Sequence, residues 1–121
     1  MDQPAYTTSE LELLALTSGT PSDAQSAMAF LMRGHILRDH NEIELAIESY
    51  DLVLQLQPDN EAAFESIVSA HEARGDYPSA MECIIKAWHA GLGFLEGVDF
   101  SKYEPALLAR MEKAILPNVQ D

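Results

Sequence analysis

The chain reads as an all-α fold. Three observations carry that expectation. No stretch alternates Val, Ile or Thr with polar residues, and no Asn-Gly pair offers a two-residue hairpin turn. Apolar residues recur at spacings of three and four, the period of a helix face. Small polar residues that can cap a helix recur along the chain, often with Glu or Gln three positions later, and Gly or Pro closes most of the stretches they open.

Taken in order, these signals predict six helices. Ser9 with Glu12 opens the first, a Leu-rich stretch (Leu11, Leu13, Leu14, Leu16) ending near Gly19. Ser22 with Gln25, just after Pro21, opens a second that runs to about Asp39. Asn41 with Glu44 opens a third that ends before Pro58, with Ile43, Ala46, Ile47, Tyr50, Val53 and Leu54 as its apolar stripe. Asn60 opens a fourth, closed by Gly75. Asp76, with Pro78 in the first turn, opens a fifth that stops at Gly91 and carries Ala80, Ile84, Ala87 and Trp88 as a core stripe. Residues 91–100 hold three glycines and read as a loop. Ser101 with Glu104, then Pro105, opens the last, whose stripe is Leu107, Leu108, Met111 and Ile115 and whose Arg110, Glu112 and Lys113 face outward.

Composition bounds the function. At 121 residues, 47% hydrophobic and 22% charged, the chain is expected to form one ordered domain. The formal net charge is −13, which argues against nucleic acid and against an anionic membrane face as partners. The charge is uneven. Residues 1–65 hold twelve acids against Arg33 and Arg38, and nine acids separate Arg38 from Arg74 with no base between them. Such a surface attracts neutral or basic partners. No apolar run reaches the roughly 20 residues of a membrane span, and the Met-Asp-Gln-Pro start has no export-signal character. One cysteine, Cys83, cannot make an internal disulfide, so a cytoplasmic setting is expected.

The chain also compares with itself at the offset that carries Phe30 onto Phe64. At that offset Ala29 falls on Ala63, Ala46 on Ala80 and Glu48 on Glu82, while Glu42 with Asp76, Ile47 with Met81 and Val53 with Ala87 are similar in kind. An aromatic anchor in the first helix and a small residue in the second are what a close helix crossing needs. Residues 27–60 carry Phe30, Gly34, Leu37, Ala46, Tyr50, Leu54 and Pro58; residues 61–94 carry Phe64, Ile67, Gly75-Asp76-Tyr77, Ala80, Ile84 and Ala87. With these residues the sequence resembles the tetratricopeptide repeat family, whose unit is a 34-residue helical hairpin. It departs from that pattern at Arg33, at Val68 in place of a small Gly, at His71 in place of Tyr, and in lacking a closing Pro in the second unit. The implied organisation is a right-handed superhelix of antiparallel helix pairs. Residues 8–26 form the N-terminal helix and lead-in, 27–60 and 61–94 the repeats, and 95–121 a loop and C-terminal capping helix. Phe30, Gly34, Ala46, Tyr50, Pro58, Phe64, Gly75 and Ala80 are then structural residues of the repeat.

The resemblance implies a groove lined by the first helix of each unit. Met28, Leu31, His35, Arg38 and Asp39 would face it from one unit, and Ala62, Glu65, Ser69, Glu72 and Ala73 from the other. The partner-binding set expected from this is Met28, Leu31, His35, Arg38, Glu65, Ser69 and Glu72. Family members that hold acidic chaperone tails use a Lys/Asn/Arg cluster. This chain has Leu31, His35, Ala62, Glu65 and Ser66 in that region, so an apolar or basic segment fits better than an acidic one. Adaptable methionine adds to such a surface.

No catalytic constellation is present. Gly91-Leu92-Gly93 follows a helix rather than opening one after a strand, so it does not read as a phosphate loop, and no Cys/His spacing supports a metal site. The expectation is a protein that is not an enzyme and has no cofactor or metal. It would be an adaptor binding a peptide or helix of a partner protein. The alternative is a small acidic chaperone of bacterial (type III) secretion that shields an export subunit. Two repeats bury their faces only against neighbours, so a homodimer or an obligate hetero-complex is compatible with the sequence.

Overall fold

The computed structural model describes residues 5–16, 24–92 and 97–115. These residues form six α-helices and a short 3-10 turn, with no strand among them. The helices are α1 (Thr8–Leu16), α2 (Ala24–Asp39), α3 (Ile43–Leu56), α4 (Glu61–Ala73), α5 (Tyr77–His89) and α6 (Pro105–Ile115). Each helix packs on the next in the chain. The expected end of the first helix near Gly19 and the cap at Ser22 lie outside the described residues.

The two central hairpins share one turn. At the end of α2, Asn41 has a φ of 63°. Its N–H donates to the Arg38 carbonyl at 2.9 Å, and the Glu42 N–H donates to the Leu37 carbonyl at 2.8 Å. This left-handed closure satisfies carbonyls that the helix end leaves open. One repeat later Gly75 has a φ of 75°, and the Gly75 and Asp76 amides bond to the Glu72 and His71 carbonyls in the same way. The ends of α2 and α4 (Asp39, Ala73) and the starts of α3 and α5 (Ile43, Tyr77) are separated by the same interval.

Three expected caps are corrected. Asn41 does not cap α3: Glu42 stands at that position and makes no side-chain cap bond. A residue committed to the left-handed turn that ends α2 cannot also take the extended backbone of an N-cap. At α1 the reciprocal box is Thr7 with Glu10, not Ser9 with Glu12. The Thr7 N–H donates to the Glu10 carboxylate at 2.9 Å, and the Glu10 N–H donates to the Thr7 hydroxyl at 3.1 Å. Tertiary contacts favour the earlier box, since the same Glu10 oxygen lies 3.2 Å from His40 Nε2 and the Tyr6 ring stacks on His40 with centroids 3.9 Å apart. Ser101 does not cap α6. It lies in the 3-10 turn Phe100–Lys102, where its N–H donates to the Asp99 carboxylate at 3.0 Å. Two expected caps stand where they were placed: Asn60 accepts from the Ala63 amide at 2.9 Å and Asp76 from the Ser79 amide at 3.2 Å.

The core follows the helix stripes. A small cluster joins Ala27, Phe30, Val53 and Ala63; a larger one runs from Leu37, Ala46 and Tyr50 through Phe64, Ile67 and Val68 to Met81, Ile84 and Ala87. Ala46 and Ala80 are both fully buried. Gly34 faces the Tyr50 ring so closely that a Cβ there would overlap it, at 2.7 Å from Cδ1 and 2.8 Å from Cζ. Trp88 corrects the expected stripe of α5, because it is 41% exposed. Each i+4 step overshoots a full turn by about 40°, so two steps from Ala80 carry position 88 off the buried face. At the two ends, Leu14 of α1 packs on the main cluster while Leu11 is largely exposed, and Leu107, Leu108 and Met111 of α6 pack on it beside an Arg110–Glu82 ion pair.

Candidate docking face

The seven expected partner-binding residues lie on α2 and α4. Leu31, His35 and Arg38 stand one repeat before Glu65, Ser69 and Glu72, at corresponding turns of the two helices. Their surroundings differ. Met28 is 62% exposed, whereas Leu31 is half-buried against both core clusters. Arg38 is half-buried, and Glu65 and Ser69 are exposed.

His35 and Glu72 are tied to the protein itself. His35 Nδ1 lies 2.8 Å from the Tyr50 hydroxyl, which donates when the imidazole proton is on Nε2. One hydroxyl on a fully buried ring thus links α2 to α3. Burial holds the Tyr50 hydroxyl above its ordinary pKa. Glu72 accepts a 2.6 Å hydrogen bond from the hydroxyl of Tyr103, which lies between the 3-10 turn and α6. Burial, then the Glu72 carboxylate, pushes the Tyr103 pKa up.

Glu65, Ser69 and Glu72 meet in one cleft. It is floored by Val68 and closed on its far side by Gly97, Val98 and Asp99. Met28, Leu31, His35 and Arg38 are not in that cleft. Sequence reasoning missed two parts of this face. Met32, one turn beyond Met28, is 48% exposed and extends the apolar patch on α2; its i+4 spacing was the available signal. The second part is the segment carrying Val98, Phe100 and Tyr103. Its three apolar side chains were visible in a Gly-bearing loop, but nothing local says where such a loop lands.

Acids dominate the neighbouring α3 surface. Glu42, Glu44 and Glu48 are exposed there, with a 3.8 Å ion pair from Glu44 to Arg74 of the next turn. Among the described residues no three His, Cys, Asp or Glu side chains come together to hold a metal ion. Cys83 is buried, and burial pushes its thiol pKa up to about 12, which keeps it from acting as a thiolate nucleophile near neutrality. No described helix is long and apolar enough to cross a membrane.

Two histidines make stability pH-dependent. Burial lowers the pKa of His35 and of His71, whose Nδ1 lies 3.9 Å from Asp76. A histidine with a depressed folded pKa resists a proton that the unfolded chain accepts below about 6.5. Its contribution is therefore full above that value and is lost as pH falls through the folded pKa. Acidification also relieves the self-repulsion of a chain at −13, so the histidine effect must be read by difference. The expected result is that the melting temperature of the native chain falls between pH 7.5 and 5.5 relative to a His35→Gln/His71→Gln chain. Parallel curves for the two chains would contradict it.

No family model matches the chain, and no curated protein and no solved structure matches it at a significant level.

Proposed function

We propose that the chain is a non-catalytic protein–protein interaction module of two tetratricopeptide-like hairpins, which docks an apolar-to-basic peptide or helix of a partner protein on α2 and α4. The observation that carries this reading is the recurrence of one hairpin geometry at a fixed interval along the chain. The helix ends at the turn (Asp39 and Ala73, Ile43 and Tyr77), the left-handed turn residue and the buried Ala46 and Ala80 all recur at that interval, although few residues are identical. A repeated hairpin presents equivalent faces side by side, and here those faces are α2 and α4. Exposed Met28 and Met32 support an apolar contact, since flexible thioethers adapt to varied partners. The charge of −13 supports a partner that is neutral or basic. A lone buried free thiol is in keeping with a cytoplasmic setting.

Affinity capture with the full chain, followed by mass spectrometry, identifies the partner. Met28→Lys and Leu31→Lys should then each weaken binding of that partner about tenfold, as losing an apolar anchor does. Circular dichroism should show helicity unchanged. Undiminished binding in both variants would remove α2 from the docking face.

A further inference from the structure

Residues 97–103 lead into α6 and cross the side of α4 that carries Glu65, Ser69 and Glu72. Little backbone holds them there. Their own bonds are local: Ser101 to the Asp99 side chain and the Tyr103 N–H to the Phe100 carbonyl at 3.0 Å. Among the described residues no backbone hydrogen bond joins the segment to α4 or α5. Three side chains do the holding. Val98 and Phe100 lean half-buried on the main cluster, and Tyr103 is 4% exposed. The Tyr103 ring sits edge-on to Tyr77 at 5.0 Å, and its hydroxyl is the one that Glu72 accepts from. Val68, which floors the cleft beneath, is also only 4% exposed. Segments with few buried contacts and no shared backbone bonds open at lower free energy than the helices they cover.

We infer that residues 97–103 form a strap, latched by Tyr103 on Glu72, that opens as a unit separate from the helices and bares Glu72 and the buried Val68 beside it. Its consequence for binding rests on the docking function proposed above: a partner seated on the exposed Glu65 and Ser69 competes with Tyr103 for the Glu72 carboxylate. The opening itself needs no partner, so it is tested apart from that function.

The test places a thiol beneath the strap. Val68→Cys is made in a full-length chain that also carries Cys83→Ala, and labelling by a maleimide is timed. The thiol at position 68 is expected to react at least about tenfold faster than Cys83 does in the unsubstituted chain, at a rate insensitive to low urea. Tyr103→Phe removes only the latch bond and should speed labelling about fivefold. Glu72→Ala should do the same, with no further gain when the two are combined. Amide exchange in α4 should stay unchanged throughout. If labelling at position 68 is as slow as at Cys83 and climbs with urea in step with global unfolding, the segment is an integral part of the core and the strap is refuted. No change in rate with Tyr103→Phe refutes the latch. Should Val68→Cys not fold, exchange of the Tyr103 amide decides instead: the strap requires it to exceed the α4 amides in rate and to respond to Tyr103→Phe. A partner that ignores Met28→Lys and Leu31→Lys would overturn the docking face and leave these rates untouched.

Discussion

Tyr50→Ala is expected to cost about 3–5 kcal/mol in urea denaturation. The ring is fully buried in the main cluster, and its hydroxyl is hydrogen-bonded to His35 of α2. Small domains are stable by only about 5–15 kcal/mol, so one truncation removes a large share of the total. Tyr50→Phe keeps the packing and loses only the hydroxyl, and should cost about 1 kcal/mol. Near-equal costs for the two variants would mean that the polar link, rather than the packed ring, supports the fold.

Gly34→Ala is expected to destabilise the chain by about 1–2 kcal/mol, against its helix propensity. Alanine in a helix interior is favoured over glycine by about 1 kcal/mol. A Cβ at position 34, however, would lie 2.7–2.8 Å from atoms of the Tyr50 ring, well inside the usual contact distance of about 3.5–4.0 Å. Overpacking a rigid core costs about 1–3 kcal/mol, and a ring packed on all sides has no room to withdraw. The check is a double-mutant comparison. In a Tyr50→Leu chain the ring edge is gone, and Gly34→Ala should become neutral or stabilising. Equal effects in both backgrounds would show that the close approach does not set the residue at 34.

The same pair explains why the repeat is faint in the sequence. Gly34 and Tyr50 correspond, one repeat on, to Val68 and Ile84. The first hairpin sets no side chain against a large ring, and the second sets two middle-sized side chains at the equivalent places. Tyr50 and Ile84 are both fully buried, and Val68 is 4% exposed. The volume at the crossing is shared out differently, so identity falls while the packing is kept. Val68 therefore looked like a departure in the sequence, although its partner position compensates for it.

The docking face was legible only as a list of positions. The family resemblance put the seven expected residues on α2 and α4. It gave no sign that His35 turns inward to Tyr50, or that Glu72 is held by the distant Tyr103. The caps failed in a related way. The local rules picked Ser9 with Glu12, whereas the box forms at Thr7 with Glu10, where Glu10 also meets His40.

What the sequence by itself determined is local: six helices, the caps at Asn60 and Asp76, the Gly75 turn of the second hairpin, and the small residues at the crossings. These depend on cap chemistry, left-handed turn residues and apolar period, all of which act within about one turn of helix. Only the tertiary structure decided which way His35, Glu72 and Trp88 face, how volume is divided between facing helices, and where residues 97–103 come to rest. Those outcomes depend on which distant surfaces meet, as the hydrogen bonds between His35 and Tyr50 and from Tyr103 to Glu72 show. A side chain turns inward only where another element brings a partner that offsets the loss of water around its polar atoms.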